Sequence, residues 1–162
     1  MADKTTSSTV IEVPRKDVMA VIADFPAYPE WATAVRSAEV LSQEPGGRAT
    51  AVRFTLDAGM IKDSYVLGYE WDGDTQVRWN LTEAGSMISE MTGGYALADT
   101  TGDSEGGMGR RVGGGGTEVT YDLAVGIKVP MPGMLKRRAE KVIIDTALKG
   151  LKSRAESIGS AG

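Results

Sequence analysis

The chain has 162 residues, 18 basic and 22 acidic side chains and a net charge of -4, with no cysteine and no histidine. Those absences exclude disulfides, thiolate catalysis, Cys-based metal sites, Ser-His-Asp and Cys-His catalysis and most zinc sites. At this length one domain spanning 1–162 is expected, burying ~70% of its unfolded surface without a staple. Residues 1–9 are polar and lack the apolar core of a signal peptide. No run approaches the ~20 apolar residues of a membrane span. A cytoplasmic protein with no cofactor is therefore expected.

In chain order, residues 6–13 read as a β-branched strand ended by Pro14. Residues 15–24 read as a helix that buries Val18, Met19, Val21 and Ile22. The run Pro26-Ala27-Tyr28-Pro29-Glu30-Trp31 forbids a long continuation and predicts a turn and a short helix carrying Tyr28 and Trp31. Residues 35–42 read as a strand, and Glu44-Pro45-Gly46-Gly47 as a turn.

Alternating strands follow. Residues 51–58 point Val52, Phe54 and Leu56 one way and Arg53, Thr55 and Asp57 the other. Residues 62–71 put Tyr65, Leu67, Tyr69 and Trp71 on one parity. Asp72-Gly73-Asp74 has hairpin-turn chemistry. Residues 76–82 align Val77, Trp79 and Leu81. Residues 86–99 form a long strand with Met87, Met91, Tyr95 and Leu97 on one parity, and Gly93-Gly94 suggests a bulge or bend that would reset it. Residues 102–116 contain eight glycines in fifteen positions and read as a flexible hairpin loop. Gly107-Met108-Gly109 does not continue into a dinucleotide fingerprint, because position 112 is Val and no strand–helix unit surrounds it. Residues 117–126 form the last strand, with Val119, Tyr121, Leu123 and Val125 inward.

Pro130, Pro132 and Gly133 open a long helix over 134–158. Arg138, Lys141, Asp145, Lys149, Lys152 and Glu156 fall on one face, with Asp145 and Lys149 as an i,i+4 pair. Ala139, Val142, Ile143, Ile144, Ala147, Leu148, Leu151, Ala155 and Ile158 fill the opposite arc. That arc is wider than a coiled-coil seam, so the helix lies on a broad surface. Lys136 and Glu140 interrupt it. They read either as polar groups at a pocket mouth or as an ion pair snorkelling at the rim.

Residues 1–127 carry 10 basic and 19 acidic groups, a balance of -9; residues 128–162 carry 8 and 3, a balance of +5. A basic helix could face anionic lipid or nucleic acid. Interleaved Asp145 and Glu156, and no accompanying aromatic for base stacking, argue for a solvated face instead. No nucleic-acid partner is expected. Transient contact with a membrane surface stays open.

The order of strand, two short helices, six strands and a long helix implies an antiparallel sheet with one apolar face, covered by the only element large enough. A twisted sheet wrapped on one helix leaves a gap. Phe54, Tyr65, Tyr69, Trp71, Trp79, Tyr95 and Tyr121 face that gap. Each buried hydroxyl without a partner costs roughly 1–3 kcal/mol, so the cluster implies water, mutual hydrogen bonds or a ligand. Apolar walls with a few polar tips suit a small molecule. Asp57, Glu70 and Asp122 fall on the outward parity and offer no converging acid/base pair.

Two stretches carry a resemblance. Asp24-Phe25-Pro26-Ala27-Tyr28-Pro29-Glu30-Trp31 resembles the opening of the SRPBCC, or START-like, superfamily. Val129-Pro130-Met131-Pro132-Gly133-Met134-Leu135-Lys136-Arg137 resembles the entry to the long helix in its polyketide cyclase/dehydrase and coenzyme-Q-binding-like branch. The resemblance implies an α+β helix-grip fold: a curved antiparallel sheet of about seven strands around the C-terminal helix. It also implies a deep cavity, in a family whose members bind lipids, quinones or polyketides and some of which are cyclases. It supplies no catalytic residue set; only Trp31 transfers, as a fold and cavity-edge residue.

The function expected is binding or carrying a small hydrophobic molecule. The alternatives are a polyketide aromatase/cyclase and a toxin-like protein acting on the translation machinery. The expected ligand-binding residues are Trp31, Phe54, Leu56, Tyr65, Tyr69, Trp79, Met91, Tyr95, Tyr121, Met134, Lys136, Glu140, Ile143 and Ala147, with no metal ligand and no assignable catalytic residue.

Overall fold

The computed structural model describes residues 4–32, 34–45, 47–57, 62–100, 116–128 and 132–161, with residues 159–161 described by backbone alone. Most of the glycine-rich stretch 102–116 lies outside the described residues. The elements are β1 (Thr5–Ile11), α1 (Arg15–Ala23), a 3-10 turn (Phe25–Ala27), α2 (Tyr28–Trp31), β2 (Val35–Gln43), β3 (Ala49–Asp57), β4 (Lys62–Asp72), β5 (Gln76–Glu83), β6 (Ile88–Asp99), β7 (Thr117–Ile127) and α3 (Gly133–Ala161). The seven strands form one antiparallel sheet in the order β1-β7-β6-β5-β4-β3-β2.

The alternation in the sequence sets which face is buried. Val52, Phe54 and Leu56 of β3, Tyr65, Leu67 and Tyr69 of β4, Val77 and Trp79 of β5, and Val119, Tyr121, Leu123 and Val125 of β7 are all buried. The Asp72–Thr75 turn closes with the Thr75 N–H donating to the Asp72 carbonyl, and Gly73 takes the positive φ of 56° that the turn requires.

Strand β6 departs from expectation. Gly93 and Gly94 do not form a bulge. They stay in register with Trp79 and Arg78 on one side and with Leu123 and Asp122 on the other. Glycine is needed there for close approach: a Cβ on Gly93 would sit 2.5 Å from the Asp122 carbonyl oxygen and 2.9 Å from the Trp79 ring. On Gly94 it would meet Arg78, whose guanidinium reaches across to Asp122 at 3.0 Å. Asp122 is therefore ion-paired rather than simply solvated. The register shift falls between Ile88 and Glu90 instead, and it puts Ile88, not Met87, in the core.

Helix α3 has 29 residues and is about 43 Å long. It packs on β1, β7, α1 and α2. Ala139, Ile143, Ile144, Ala147, Leu148, Leu151 and Ala155 are buried. Val142 and Ile158, expected on that arc, are 44% and 52% exposed, so the contact is narrower than the pattern suggested. Asp145 pairs back to Lys141 at 2.9 Å rather than forward to Lys149. Gly150, in mid-helix, lets α3 approach α2: a Cβ there would overlap the Trp31 carbonyl oxygen.

Two Lys–Glu pairs fasten α3 to one edge of the sheet. The β1–β7 ladder ends at Thr5 and Leu123 among the described residues, and Val125 lies two residues beyond. Its N–H donates to Glu140 Oε2 at 3.0 Å, and its carbonyl accepts from Lys136 Nζ at 3.0 Å. Thr5 Oγ1 donates to Glu140 Oε1 at 2.8 Å. Sixteen residues on, Lys152 Nζ donates to the Val10 carbonyl at 2.7 Å, and Glu156 Oε2 accepts from the Glu12 N–H at 3.0 Å. Each pair supplies the donor and the acceptor that a neighbouring strand would otherwise supply.

Candidate functional site: an aromatic cavity between sheet and helix

The inward parities of β3 to β7 converge under α3. Phe54 and Leu56 come from β3, Tyr65, Leu67 and Tyr69 from β4, Trp79 from β5, Met91 and Tyr95 from β6, and Tyr121 and Leu123 from β7. Ile143, Thr146 and Ala147 form the roof, and Tyr28, Ala32, Ala34 and Val35 close one side. The space left by atoms is about 580 Å³ including the mouth, and water-sized molecules fit over about 60 Å³ of centre positions. An apolar cavity that admits benzene measures ~150 Å³ on the comparable scale. At rest this one suits a few small molecules, and a ring-sized guest must displace side chains. Met91, unbranched and flexible, is a wall able to yield.

The walls form a connected set of rings. Phe54 and Tyr65 are 6.0 Å apart, Tyr69 and Trp79 5.7 Å, Trp79 and Tyr121 5.6 Å, and Tyr95 and Tyr121 4.6 Å between centroids. Offset and edge contacts of this kind stabilise by ~0.5–1.5 kcal/mol each beyond area burial. The Tyr28 hydroxyl donates to the Ile22 carbonyl at 2.5 Å. The hydroxyls of Tyr65, Tyr69, Tyr95 and Tyr121 have no hydrogen-bond partner among the described residues. The buried ring N–H of Trp79 has none there either. Burial pushes the phenol of each of these five tyrosines up from its ordinary value. Tyr121 adds to the effect on the other four through charge repulsion. All five phenols are neutral at physiological pH.

Ten of the fourteen expected residues line this cavity: Phe54, Leu56, Tyr65, Tyr69, Trp79, Met91, Tyr95, Tyr121, Ile143 and Ala147. Four lie elsewhere. Trp31 is buried against Tyr28, with ring centroids 4.7 Å apart, behind the lining. Met134 is 67% exposed and faces a surface groove with Arg137, Arg138, Lys141, Val142, Asp145 and Thr146. Lys136 and Glu140 form the expected ion pair at 3.7 Å, but they are engaged with Val125, Glu140 is fully buried, and neither lines the cavity. Trp71, also expected to face the gap, turns its ring N–H to the Ala49 carbonyl at 2.7 Å beneath the Arg48 guanidinium. The expected set lacked seven lining residues: Tyr28, Ala32, Ala34, Val35, Leu67, Leu123 and Thr146. Tyr28 could have been found from its place in a proline-bounded turn that must fold back on the core. Nothing local marks Thr146, which sits between the polar and apolar faces of α3.

Among the described residues no group of three or more Asp and Glu side chains could hold a metal ion. No helix among them is long and apolar enough to cross a membrane.

The sequence matches the model of a family described as polyketide cyclase / dehydrase and lipid transport over residues 11–152. No curated protein matches it. Among solved structures, a START superfamily protein from Mycobacterium smegmatis superposes with a TM-score of 0.79 at 17% identity, covering 96% of this chain and 98% of that one. A protein from Thermus thermophilus gives 0.73 at 20% identity, covering 96% and 99%. The Zhui aromatase/cyclase from a Streptomyces species gives 0.72 at 12% identity, covering 96% and 94%. At these identities the likeness is one of fold.

Proposed function

The chain belongs to the polyketide cyclase / dehydrase and lipid transport family, and from that premise we propose that it binds and carries a small hydrophobic molecule in the cytoplasm. The observation that carries this reading is the cavity itself: apolar and aromatic walls with four hydroxyls that no described residue satisfies. A dry core filled by Val, Ile and Leu would leave none.

Carriage is favoured over cyclisation by the same lining. Proton transfer needs a group whose pKa lies near the working pH. The lining offers hydroxyls but no carboxylate, ammonium or guanidinium among the described residues. The phenols are held above their ordinary range by burial. Contact with the translation machinery through the basic face of α3 is disfavoured, because Lys141 and Lys152 on that face already hold Asp145 and Glu156.

Native mass spectrometry of freshly purified protein tests the reading. A retained small molecule, or saturable quenching of tryptophan fluorescence when an apolar probe is added, is expected. No retained mass and no saturable probe binding would refute it.

A further inference from the structure

The first half of α3 does more than roof the cavity. Its outer side forms a surface groove lined by Met134, Arg137, Arg138, Lys141, Val142 and, at the far end, Thr146. Thr146 also lines the cavity, so groove and cavity adjoin at that residue. From Met134 to Thr146 the helix rises about 18 Å. Met134 and Val142, both apolar, are exposed two turns apart. Three cations stand beside them against one acid, Asp145, which Lys141 holds at 2.9 Å. The surplus is local: residues 128–162 carry a balance of +5 and residues 1–127 one of -9.

Resting on the carrier reading above, we propose that this groove seats the protein on a bilayer containing anionic phospholipid, and that the guest is exchanged with the bilayer at the Thr146 end. Exposed apolar side chains set among cations are what a helix lying in a lipid interface presents. Met134 and Val142 enter the acyl boundary, while the long stems of Arg138 and Lys141 let their charges stay at headgroup level. The negative surface potential attracts the basic groove and repels the acidic remainder of the chain, so the molecule arrives groove first. A guest scarcely soluble in water collects in the bilayer, and an entrance held against the bilayer spares it the aqueous path. Two other occupants fit the groove less well. A second copy would bring the same cations face to face across a twofold axis. An acidic protein would find no aromatic anchor among the lining residues, and protein interfaces centre on such anchors.

The test uses the intact protein with two kinds of vesicle, phosphatidylcholine alone and its equimolar mixture with phosphatidylglycerol, and reads binding by co-sedimentation at pH 7. The mixed vesicles are expected to bind at least tenfold more tightly, and the advantage should shrink as salt is added. Arg138→Glu should weaken that binding at least fivefold. Lys16→Glu, an equal charge change at an exposed position on α1, should alter it less than twofold. Met134→Ser should weaken it at least threefold. None of these three positions lines the cavity, so each variant should keep saturable binding of the neutral probe phenylnaphthylamine, read by fluorescence without vesicles. Transfer of that probe from mixed vesicles to the protein should slow in Arg138→Glu in step with the lost binding. Transfer at an unchanged rate would overturn exchange at the bilayer and route the guest through water. Equal losses in Arg138→Glu and Lys16→Glu would overturn the groove as the docking site, because net charge alone would then explain binding. Equal affinity for the two vesicles would overturn the anionic surface. A dimer that Met134→Ser converts to monomer, with no vesicle binding, would assign the groove to a second copy. No vesicle binding with probe binding kept would overturn the docking surface and leave the carrier reading standing. Vesicle binding with no saturable probe binding would refute the carrier reading and leave the docking surface standing.

Discussion

Glu140 Oε2 lies 3.0 Å from the Val125 backbone nitrogen, in a place no solvent reaches. The carboxylate stands where a strand carbonyl would stand if β1 began two residues earlier. Its charge is balanced by Lys136 Nζ at 3.7 Å. Removing one member of a buried pair leaves the other uncompensated and typically costs ~3–5 kcal/mol. Glu140→Ala is therefore expected to lower stability by about that amount in chemical denaturation, and to speed hydrogen exchange at the Val125 amide. Glu140→Gln keeps one acceptor oxygen and should cost less. A Glu140→Ala variant within ~0.5 kcal/mol of the parent would show that the contact carries no weight.

Gly150 offers a test whose sign decides. Helix propensity alone says that Gly→Ala in a helix interior stabilises by ~1 kcal/mol. The contact with the Trp31 carbonyl says the reverse, because a methyl group has nowhere to go. Gly150→Ala is expected to destabilise by at least ~2 kcal/mol in thermal or urea unfolding. A stabilised variant would mean that α2 and α3 sit farther apart than described.

High pH should unfold the protein abruptly. All five tyrosines are buried, and burial raises every one of their phenols above the ordinary value of 10.0. Above that pH the unfolded chain releases phenolic protons that the folded chain keeps. Stability is then fully present below pH ~10 and falls as pH rises, by up to about 1.36 kcal/mol per pH unit for each tyrosine. Phenolate absorbance near 295 nm should appear together with loss of circular dichroism. Gradual ionisation of a still-folded protein would contradict the buried placement.

Asp63 ties the start of β4 to the turn before β6. Burial raises its carboxyl, but N–H groups of Ile88, Met87, Ser86 and Ser64 outweigh that and hold it below its ordinary range. A lowered pKa means stability that is present above the unfolded value near 4 and lost as pH falls through the folded one. The site is partly exposed, so Asp63→Ala is expected to cost only about 1–3 kcal/mol at pH 7. The difference from the parent should narrow below pH 4. A pH-independent difference would assign the loss to packing instead.

Filling and emptying the cavity should separate binding from folding. Ala147 lines the roof, and Ala147→Trp is expected to block an apolar probe with at most ~1–3 kcal/mol of strain. Trp79→Ala in a filled core would cost ~3–5 kcal/mol; beside unfilled space it should cost less and weaken the probe more. A Trp79→Ala protein that unfolds while probe affinity per folded molecule is unchanged would rule out Trp79 as a wall.

The sheet side of this site was legible because strand periodicity is strict. Phe54, Tyr65, Tyr69, Trp79 and Tyr121 share parities that two-residue repeats assign without ambiguity. The exceptions have physical causes. Met87 was expected where Ile88 packs, because a register shift beside Ser89 moves the parity and no residue there announces it. Gly93-Gly94 could mean a bulge or a close approach; both use glycine, and only the neighbouring strand tells them apart. Lys136 and Glu140 stood out on an apolar arc, but their task depends on where β1 begins, which is set by pairing across the sheet. Tyr28 and Thr146 became lining residues through the packing of α2 against α3, a contact between segments more than a hundred positions apart.

The two Lys–Glu pairs have a mechanical consequence. Both act on the same side of α3, toward β1 and the end of β7, and Lys136 and Glu156 lie near opposite ends of the helix. The opposite flank is held as well, but only in the second half of the helix, where Gly150 packs against the Trp31 carbonyl and Arg154 pairs with Glu30 at 2.7 Å. The first half of that flank bears Thr146, which lines the cavity together with Val35 of β2. A guest should pass on that side, between Thr146 and Val35, and a disulfide joining those two positions should slow its release far more than one placed beside the Lys–Glu pairs.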